Sequence, residues 1–435
     1  MHYFIGIKGT GMAALAVMLH DLGYEVSGSD LDKHFFTEDE LVKRGIRILP
    51  FDKNNIKDGY TVIIGNAFLE DFEEVVAARN NPACKCYRYH EFLGELMKNY
   101  HSISVCGSHG KTTTTTMLKT VLSKFEKTGY LIGDGEGSLN NDSEYLCVES
   151  CEFRRHFLAY YPDYAIITNI EIDHVDYFKD EEDYFSAYQQ FVHNVKKAVL
   201  YYGDDKWCQK LLFPVDSYSF GLSEHNDFYP VNLVEDSKGI EFDLMHRKKI
   251  VGHYQLPFVG THLLIDALGV ISLTFVMGYD QKGVDEALWG YTGPKRRYVV
   301  EEFGDSVFID DYAHHPTEVK VTLAATRKRY PDKKIIAIFK PHRASRVLYF
   351  ANEFASALKQ ADEVYLIDFT SIDDKQDGTD IDISYLQKLI PNSIILTEDE
   401  EGAKQLAKHQ GSCFVFMSSK DIYGIAELTK KHFKK

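Results

Sequence analysis

Short apolar runs, each closed by a glycine-containing or polar turn and followed by apolar residues at helical spacing, recur along this chain. The first is His2-Tyr-Phe-Ile-Gly-Ile7, which leads through Lys8-Gly9-Thr10-Gly11 into a helical pattern over 12–22. Glu25-Val-Ser-Gly-Ser-Asp30 reads as the next strand and Thr61-Val-Ile-Ile64 as another, and a helix is expected over about 89–98. Ser102-Ile-Ser-Val-Cys106, Glu144-Tyr-Leu-Cys-Val-Glu149 and Tyr164-Ala-Ile-Ile-Thr-Asn169 repeat the strand pattern in a second segment. There, about 206–254 is polar with short alternating runs, which predicts an antiparallel extension, and 263–277 is helical. A third set follows Gly293-Pro294, a pair that suits a hinge: Ser306-Val-Phe-Ile-Asp-Asp311, Lys334-Ile-Ile-Ala-Ile-Phe339, Glu363-Val-Tyr-Leu-Ile367 and Cys413-Phe-Val-Phe-Met417. This alternation predicts an α/β fold with parallel sheets in three domains. They are a Rossmann-like unit over 1–99, a central α/β domain over 100–293, built around the P-loop-type turn described next, and a C-terminal Rossmann-like domain over 294–435.

One turn carries most of the chemistry. Gly107-Ser-His-Gly110-Lys111-Thr112 stands between a buried strand and a helix whose apolar positions are Met117, Leu118, Val121 and Leu122. Its glycines let backbone N–H groups wrap an anion, the helix start contributes its positive dipole end, and Lys111 adds a full charge. Thr112 is placed where a hydroxyl reaches a magnesium ion bound to the same phosphates. Val105 stands where a standard P-loop has its first glycine, and a plain helix cap is the competing reading. The order of strand, loop and helix favours a nucleotide triphosphate loop.

Ligands of open α/β sheets gather at the carboxyl ends of strands. Glu149, Asn169, Glu171, Asp173 and His174 are expected there, above the loop, where a magnesium ion needs oxygen ligands. The N-terminal glycines run Gly6-x-x-Gly9-x-Gly11, which misses the dinucleotide fingerprint but suits a diphosphate, with Asp30 available to a ribose hydroxyl. In the third segment His314, His315, His342, Arg343 and Arg346 cluster at two strand ends facing the interdomain cleft. Lys295, Arg296 and Arg297 either reach back toward a phosphate or form a solvated basic run.

Composition narrows the class. The 435 residues are 44% hydrophobic and 26% charged, as in a soluble globular protein, and a formal net charge of −16 argues against nucleic acid or membrane as the main partner. Seven scattered cysteines form no disulfide framework, and Cys84-Lys-Cys86 lacks the second half of a metal site. No signal-peptide pattern precedes the first strand and no stretch reaches transmembrane length, so a cytoplasmic location is expected.

Taken together and in order, Gly9-x-Gly11-Met12, Gly107-Ser-His-Gly-Lys-Thr-Thr113, Glu152-Phe-Arg-Arg-His156, Thr168-Asn-Ile-Glu-Ile-Asp-His174, Gly293-Pro-Lys-Arg-Arg297, Asp310-Asp-Tyr-Ala-His-His-Pro316 and Pro341-His-Arg-Ala-Ser-Arg346 closely resemble the Mur ligases. The resemblance covers almost the whole chain. It implies an N-terminal UDP-sugar domain, a central ATPase domain and a C-terminal amino-acid domain. It also implies the reaction: ATP with Mg²⁺ phosphorylates the lactyl carboxylate of UDP-N-acetylmuramate, and the amine of L-alanine attacks the acyl phosphate. On the matching positions, Gly107, Ser108, His109, Gly110, Lys111, Thr112 and Thr113 bind the ATP phosphates. Lys111, Glu149, His174, Arg296 and His314 form the catalytic group, and Thr112, Glu149 and His174 hold the metal. His262, Asp266, Arg296 and Asp310 complete the nucleotide site. Lys8, Gly9, Thr10, Gly11, Met12 and Asp30 hold the UDP portion, His109 and Arg154 meet the sugar, and His342, Arg343 and Arg346 orient the amino acid.

The chain departs from the family pattern at three places. Gly260-Thr-His-Leu-Leu-Ile-Asp-Ala267 replaces both asparagines of Gly-x-His-Asn-x-x-Asn-Ala and leaves Asp266 as the acceptor for the adenine amino group. Ser418-Ser-Lys-Asp421 replaces Gly-Ala-Gly-Asp, and Lys340 replaces a glutamine. No lysine of the carbamylated kind is evident, as in the alanine-adding branch. Other readings are a ligase for a different amino acid or a recycled peptide, a catalytically silent UDP-sugar-binding homologue, and, least supported, a nicotinamide oxidoreductase. The protein is expected as a monomer or homodimer.

Overall fold

The computed structural model describes residues 1–236, 238–294, 297–368, 381–420 and 422–433. Its apolar runs build three separate sheets. The first contains β1 (His2–Ile5), β2 (Val26–Ser29), β3 (Arg47–Leu49), β4 (Thr61–Ile64) and β5 (Lys85–Arg88), all parallel in the order β3-β2-β1-β4-β5. Phe4, Ile5, Val62, Ile63 and Ile64 are fully buried because helices cover both faces, the condition under which a strand reads as a continuous apolar run.

The second sheet has ten strands: β6 (His101–Cys106), β7 (Thr128–Leu131), β8 (Gly137–Ser138), β9 (Tyr145–Glu149), β10 (Tyr164–Ile167), β11 (Ala198–Tyr202), β12 (Asp216–Phe220), β13 (Phe228–Glu235), β14 (Ile240–His246) and β15 (Lys249–Leu256). Their order is β15-β14-β13-β12-β11-β10-β6-β9-β7-β8. The chain leaves β6 toward β9 on one side and β10 on the other, so the loop after β6 lies at the topological switch point, where ligands bind. The expected antiparallel extension is β13–β15; β12, within the same stretch, is instead parallel to β11.

The third sheet contains β16 (Val299–Phe303), β17 (Ser306–Asp311), β18 (Ile335–Phe339), β19 (Glu363–Leu366), β20 (Ile394–Ile395) and β21 (Cys413–Met417), ordered β16-β17-β21-β18-β19-β20 with only β16 antiparallel. Expected helices are found at Thr10–Asp21, Tyr89–Met97 and Thr261–Val276. The helix Lys111–Phe125 buries Met117, Leu118, Val121 and Leu122 in one core with Leu264, Leu268 and Ile271, which holds its first turn in place beneath the switch point. All seven cysteines are free, and no helix among the described residues is long and apolar enough to cross a membrane.

Candidate active site

The loop after β6 wraps tightly because two of its residues take left-handed backbone. Gly107 has φ 140° and Gly110, the cap of the helix Lys111–Phe125, has φ 80°. A Cβ on Gly107 would collide with Thr168 Oγ1, and one on Gly110 with the Asp266 carboxylate, so neither position tolerates a side chain. Lys111 folds back over this turn. Its Nζ donates to the Gly107 and Ser108 carbonyls, the latter at 3.2 Å, and lies 3.0 Å from Glu152 Oε2. Glu152 is fully buried, also accepts from Tyr184 OH at 3.1 Å, and has His174 Nε2 at 3.6 Å. Burial opposes the Lys111 charge, but Glu152 outweighs it and raises the lysine above its ordinary range.

Oxygen groups line the other side of the lysine. Thr112 Oγ1 donates to Glu149 Oε1 at 3.1 Å, and Glu149 Oε2 accepts from Gly133 N at 2.6 Å. His174 sits at φ 52° with its pKa lowered by burial, which leaves a neutral ring able to ligate. These groups flank one loop as two pairs, Thr112 with Glu149 and His174 with Glu152, and a hydroxyl and carboxylates are ligand types that a hard divalent cation takes. Glu152 appeared in the sequence only as part of a run; its signal was its position three residues beyond a strand end.

The third domain closes over the loop. His109 Nε2 is 3.0 Å from Glu171 Oε2, and its Nδ1 is 3.4 Å from Glu318 Oε1, on the helix Pro316–Arg329. Thr317 Oγ1 donates to Glu171 at 2.8 Å, Arg346 binds Asp173 Oδ1 through Nε at 3.0 Å and a terminal nitrogen at 2.7 Å, and Arg343 meets Asp176 at 2.6 Å. Glu318 also has the His314 ring at 2.9 Å and Arg297 at 3.5 Å, and His314, His109 and Arg297 together outweigh its burial and hold it well below the usual carboxylate range. His314 and His342 face each other with ring centroids 6.4 Å apart, and burial lowers His342 to about 2.

Several expected site residues have other neighbours here. Arg343 and Arg346, expected to orient the amino acid, pair with central-domain carboxylates. Asp266, expected at the adenine, is buried against Gly110 at the phosphate end of the loop, while His262 lies near the start of the same helix with burial lowering it to about 4. Lys8 donates to the Leu31 and Lys33 carbonyls and pairs with Glu38 at 2.9 Å, and both Asp30 oxygens accept backbone N–H groups, from Lys8 and Leu31. These two residues therefore shape the first-domain loop from within. Gly9 caps the helix that Thr10 begins, Gly11 packs on Tyr89 OH, and Met12 is buried. Arg154, at φ 50°, lines a cavity of about 240 Å³ between the first two domains with Asn66, Phe68, Arg88, His90 and His156. Asp310, the last residue but one of β17, is in register with Phe416, and Arg296 lies outside the described residues. A larger open cavity, about 580 Å³ between β19, β20 and the helix Glu400–Ala407, is remote from all these groups.

Asp266 provides a stability test. Burial pushes its carboxyl up to about 8, above the ~3.9 of an unfolded chain, so folding takes up a proton between these values. Its favourable contribution is complete below about 4 and is lost as pH rises through about 8. Asp266→Asn is expected to melt higher than the parent by a margin that grows over that range in thermal melts. A margin independent of pH contradicts the assignment.

Known proteins match along nearly the whole chain. The pattern of the Mur ligase family catalytic domain covers residues 2–101, that of the Mur ligase middle domain 105–274, and that of the Mur ligase glutamate ligase domain 295–419. The chain belongs to the Mur ligase family. A UDP-N-acetylmuramate–L-alanine ligase of Lacticaseibacillus casei is 43% identical over 421 residues, 97% of this chain and 96% of that protein. Among solved structures, a UDP-N-acetylmuramate–alanine ligase from Thermotoga maritima superposes with a TM-score of 0.81 at 26% identity, covering 99% of this chain and 98% of that one. A murein peptide ligase from Psychrobacter arcticus shares the fold, with a TM-score of 0.76 at 22% identity over 99% of this chain and 98% of its own. The three sheets of this Mur ligase thus belong to the three matched domains.

Proposed function

We propose that the protein joins L-alanine to the lactyl carboxylate of UDP-N-acetylmuramate at the expense of ATP, in peptidoglycan precursor synthesis. The reading rests on a phosphate loop enclosed by carboxylates of two domains, in a chain 43% identical to a ligase of that name along nearly its full length. ATP as substrate agrees with a cytoplasmic location.

A carboxylate is a poor electrophile, so the enzyme first attaches a leaving group to it. One lactyl carboxylate oxygen attacks the γ-phosphorus and ADP departs; the alanine nitrogen then attacks the acyl carbon, and phosphate leaves with that same oxygen. Gly107, Ser108, His109, Gly110, Lys111, Thr112 and Thr113 hold the phosphates with backbone N–H groups and the Lys111 charge. Thr112, Glu149 and His174, with Glu152 beside them, are the residues to hold Mg²⁺, which supplies further charge neutralisation when bound. The 240 Å³ cavity beside Arg154 receives the sugar side of the UDP substrate. His314 and His342 face the position of the entering amine, and Arg346, held on Asp173, fixes the third domain around it. Closure keeps the acyl phosphate from water.

Oxygen transfer tests the chemistry. UDP-N-acetylmuramate labelled with ¹⁸O in its lactyl carboxylate is expected to deliver one label to released phosphate during alanine-dependent turnover. Label confined to the amide product contradicts the acyl-phosphate route.

A further inference from the structure

His109 lies within the phosphate loop, yet its side chain is gripped from outside. Its main chain belongs to the central domain: the N–H donates to Asn169 Oδ1 at 3.0 Å, and the carbonyl accepts from Thr168 Oγ1 and, at 3.0 Å, from Asn169 Nδ2. Its ring has a carboxylate at each nitrogen, Glu171 at 3.0 Å from the central domain and Glu318 at 3.4 Å from the third. The buried His315 ring packs on its face at 4.5 Å. A neutral imidazole offers one N–H and one lone pair, so it would turn a lone pair toward one of the two carboxylates; only the imidazolium satisfies both.

We propose that His109 is a positioning residue that couples the phosphate loop to closure of the third domain, as an imidazolium shared by Glu171 and Glu318. The inference rests on the ligase reading for its turnover readout alone. With the third domain docked, Glu318 and Thr317 complete the cage around His109 and Glu171, and the loop that ends at Lys111 is held from both sides. With the domain away, His109 keeps a single carboxylate partner and His315 no longer covers it. The charged and titratable groups facing the cage are Glu171 from the central domain, Glu318 and His315 from the third, and Asp266 below Gly110, with Arg297 and His314 acting through Glu318. The His109–Glu171–His315 cluster also contains the donor types of a transition-metal site. Glu171 already accepts from Thr317 Oγ1 at 2.8 Å and pairs with His109, however, and Thr317 N donates to His315 Nδ1 at 3.4 Å with the two rings tilted by 40°, which suits a packed imidazolium better than shared ligation.

The test uses the full chain, with His109→Gln, Glu318→Gln and the double variant. Small-angle scattering with Mg²⁺ and a non-hydrolysable ATP analogue plus UDP-N-acetylmuramate is expected to show compaction in the parent, most of it lost in each single variant and no further loss in the double. Turnover is expected to fall about 10- to 100-fold in either single variant, as for loss of a hydrogen bond to a charged group, with the KM for ATP changed less. ¹⁵N-histidine spectra of the parent provide a reading that needs no variant to fold: one ring doubly protonated in the closed complex well above the ordinary histidine range. Parent-like compaction in His109→Gln, additive losses in the double variant, or a neutral ring in the closed complex overturns the proposal. Compaction and the doubly protonated ring without alanine-dependent turnover leave it standing and reject only the ligase assignment.

Discussion

Lys111→Ala is expected to abolish measurable phosphate release, a loss of at least about 10²- to 10³-fold, while UDP-N-acetylmuramate still binds. The lysine is the one full positive charge that the loop directs over its own turn, and charge accumulates there as the carboxylate approaches the γ-phosphate. The cavity beside Arg154 and His156, proposed above for the UDP-sugar, is not lined by Lys111, so substrate binding and chemistry are expected to separate. The substitution also strands Glu152, which is fully buried and keeps Tyr184 as a hydrogen-bond donor but loses its lysine. Lys111→Ala with Glu152→Gln removes that buried charge and controls for stability, and it is expected to remain inactive. Calorimetry with the UDP-sugar and a phosphate-release assay decide the matter; equal loss of both functions contradicts the role given to the lysine.

Arg346→Ala is expected to be the most damaging single change to the docking of the third domain. Asp173 and Arg346 are both about 6% exposed, and two guanidinium nitrogens converge on Asp173 Oδ1, which also accepts from His174 N at 2.7 Å. The arginine overcomes the burial penalty and holds the carboxylate well below its usual range. Removing one partner of such a pair leaves an uncompensated buried charge, at a cost of about 3–5 kcal/mol. Replacing both, with Asp173→Asn and Arg346→Met, is expected to recover most of that loss. Hydrogen exchange of the third domain reports the effect, since unfolding of three domains need not be two-state. Equal protection in Arg346→Ala and the parent contradicts the argument.

The parts legible in the sequence are those whose physics is local. β1, β4, β10, β18 and β21 lie inside their sheets, so each shows as an unbroken apolar run. β5 and β20 are edge strands with exposed or half-buried residues, and an edge needs no apolar signature. The phosphate loop was readable because glycine spacing, lysine and helix start must be contiguous. The partners that close the site were not, because they are set by how domains meet. Glu318 reads as a helix cap, and it does accept from His315 N at 3.2 Å, but it also reaches His109 in another domain. Lys8 and Asp30 fit a ligand loop by pattern, while their side chains satisfy the backbone of their own domain. Asp266 follows the family's adenine position, and the packing of its helix brings the carboxyl against Gly110.

The central claim is most directly tested by phosphate release with Mg²⁺-ATP, UDP-N-acetylmuramate and single amino acids assayed in parallel. Release that requires both the UDP-sugar and L-alanine is the expected result. Release with another amino acid keeps the ligase chemistry and moves its specificity; no release with any amine, despite UDP-sugar binding, contradicts the claim.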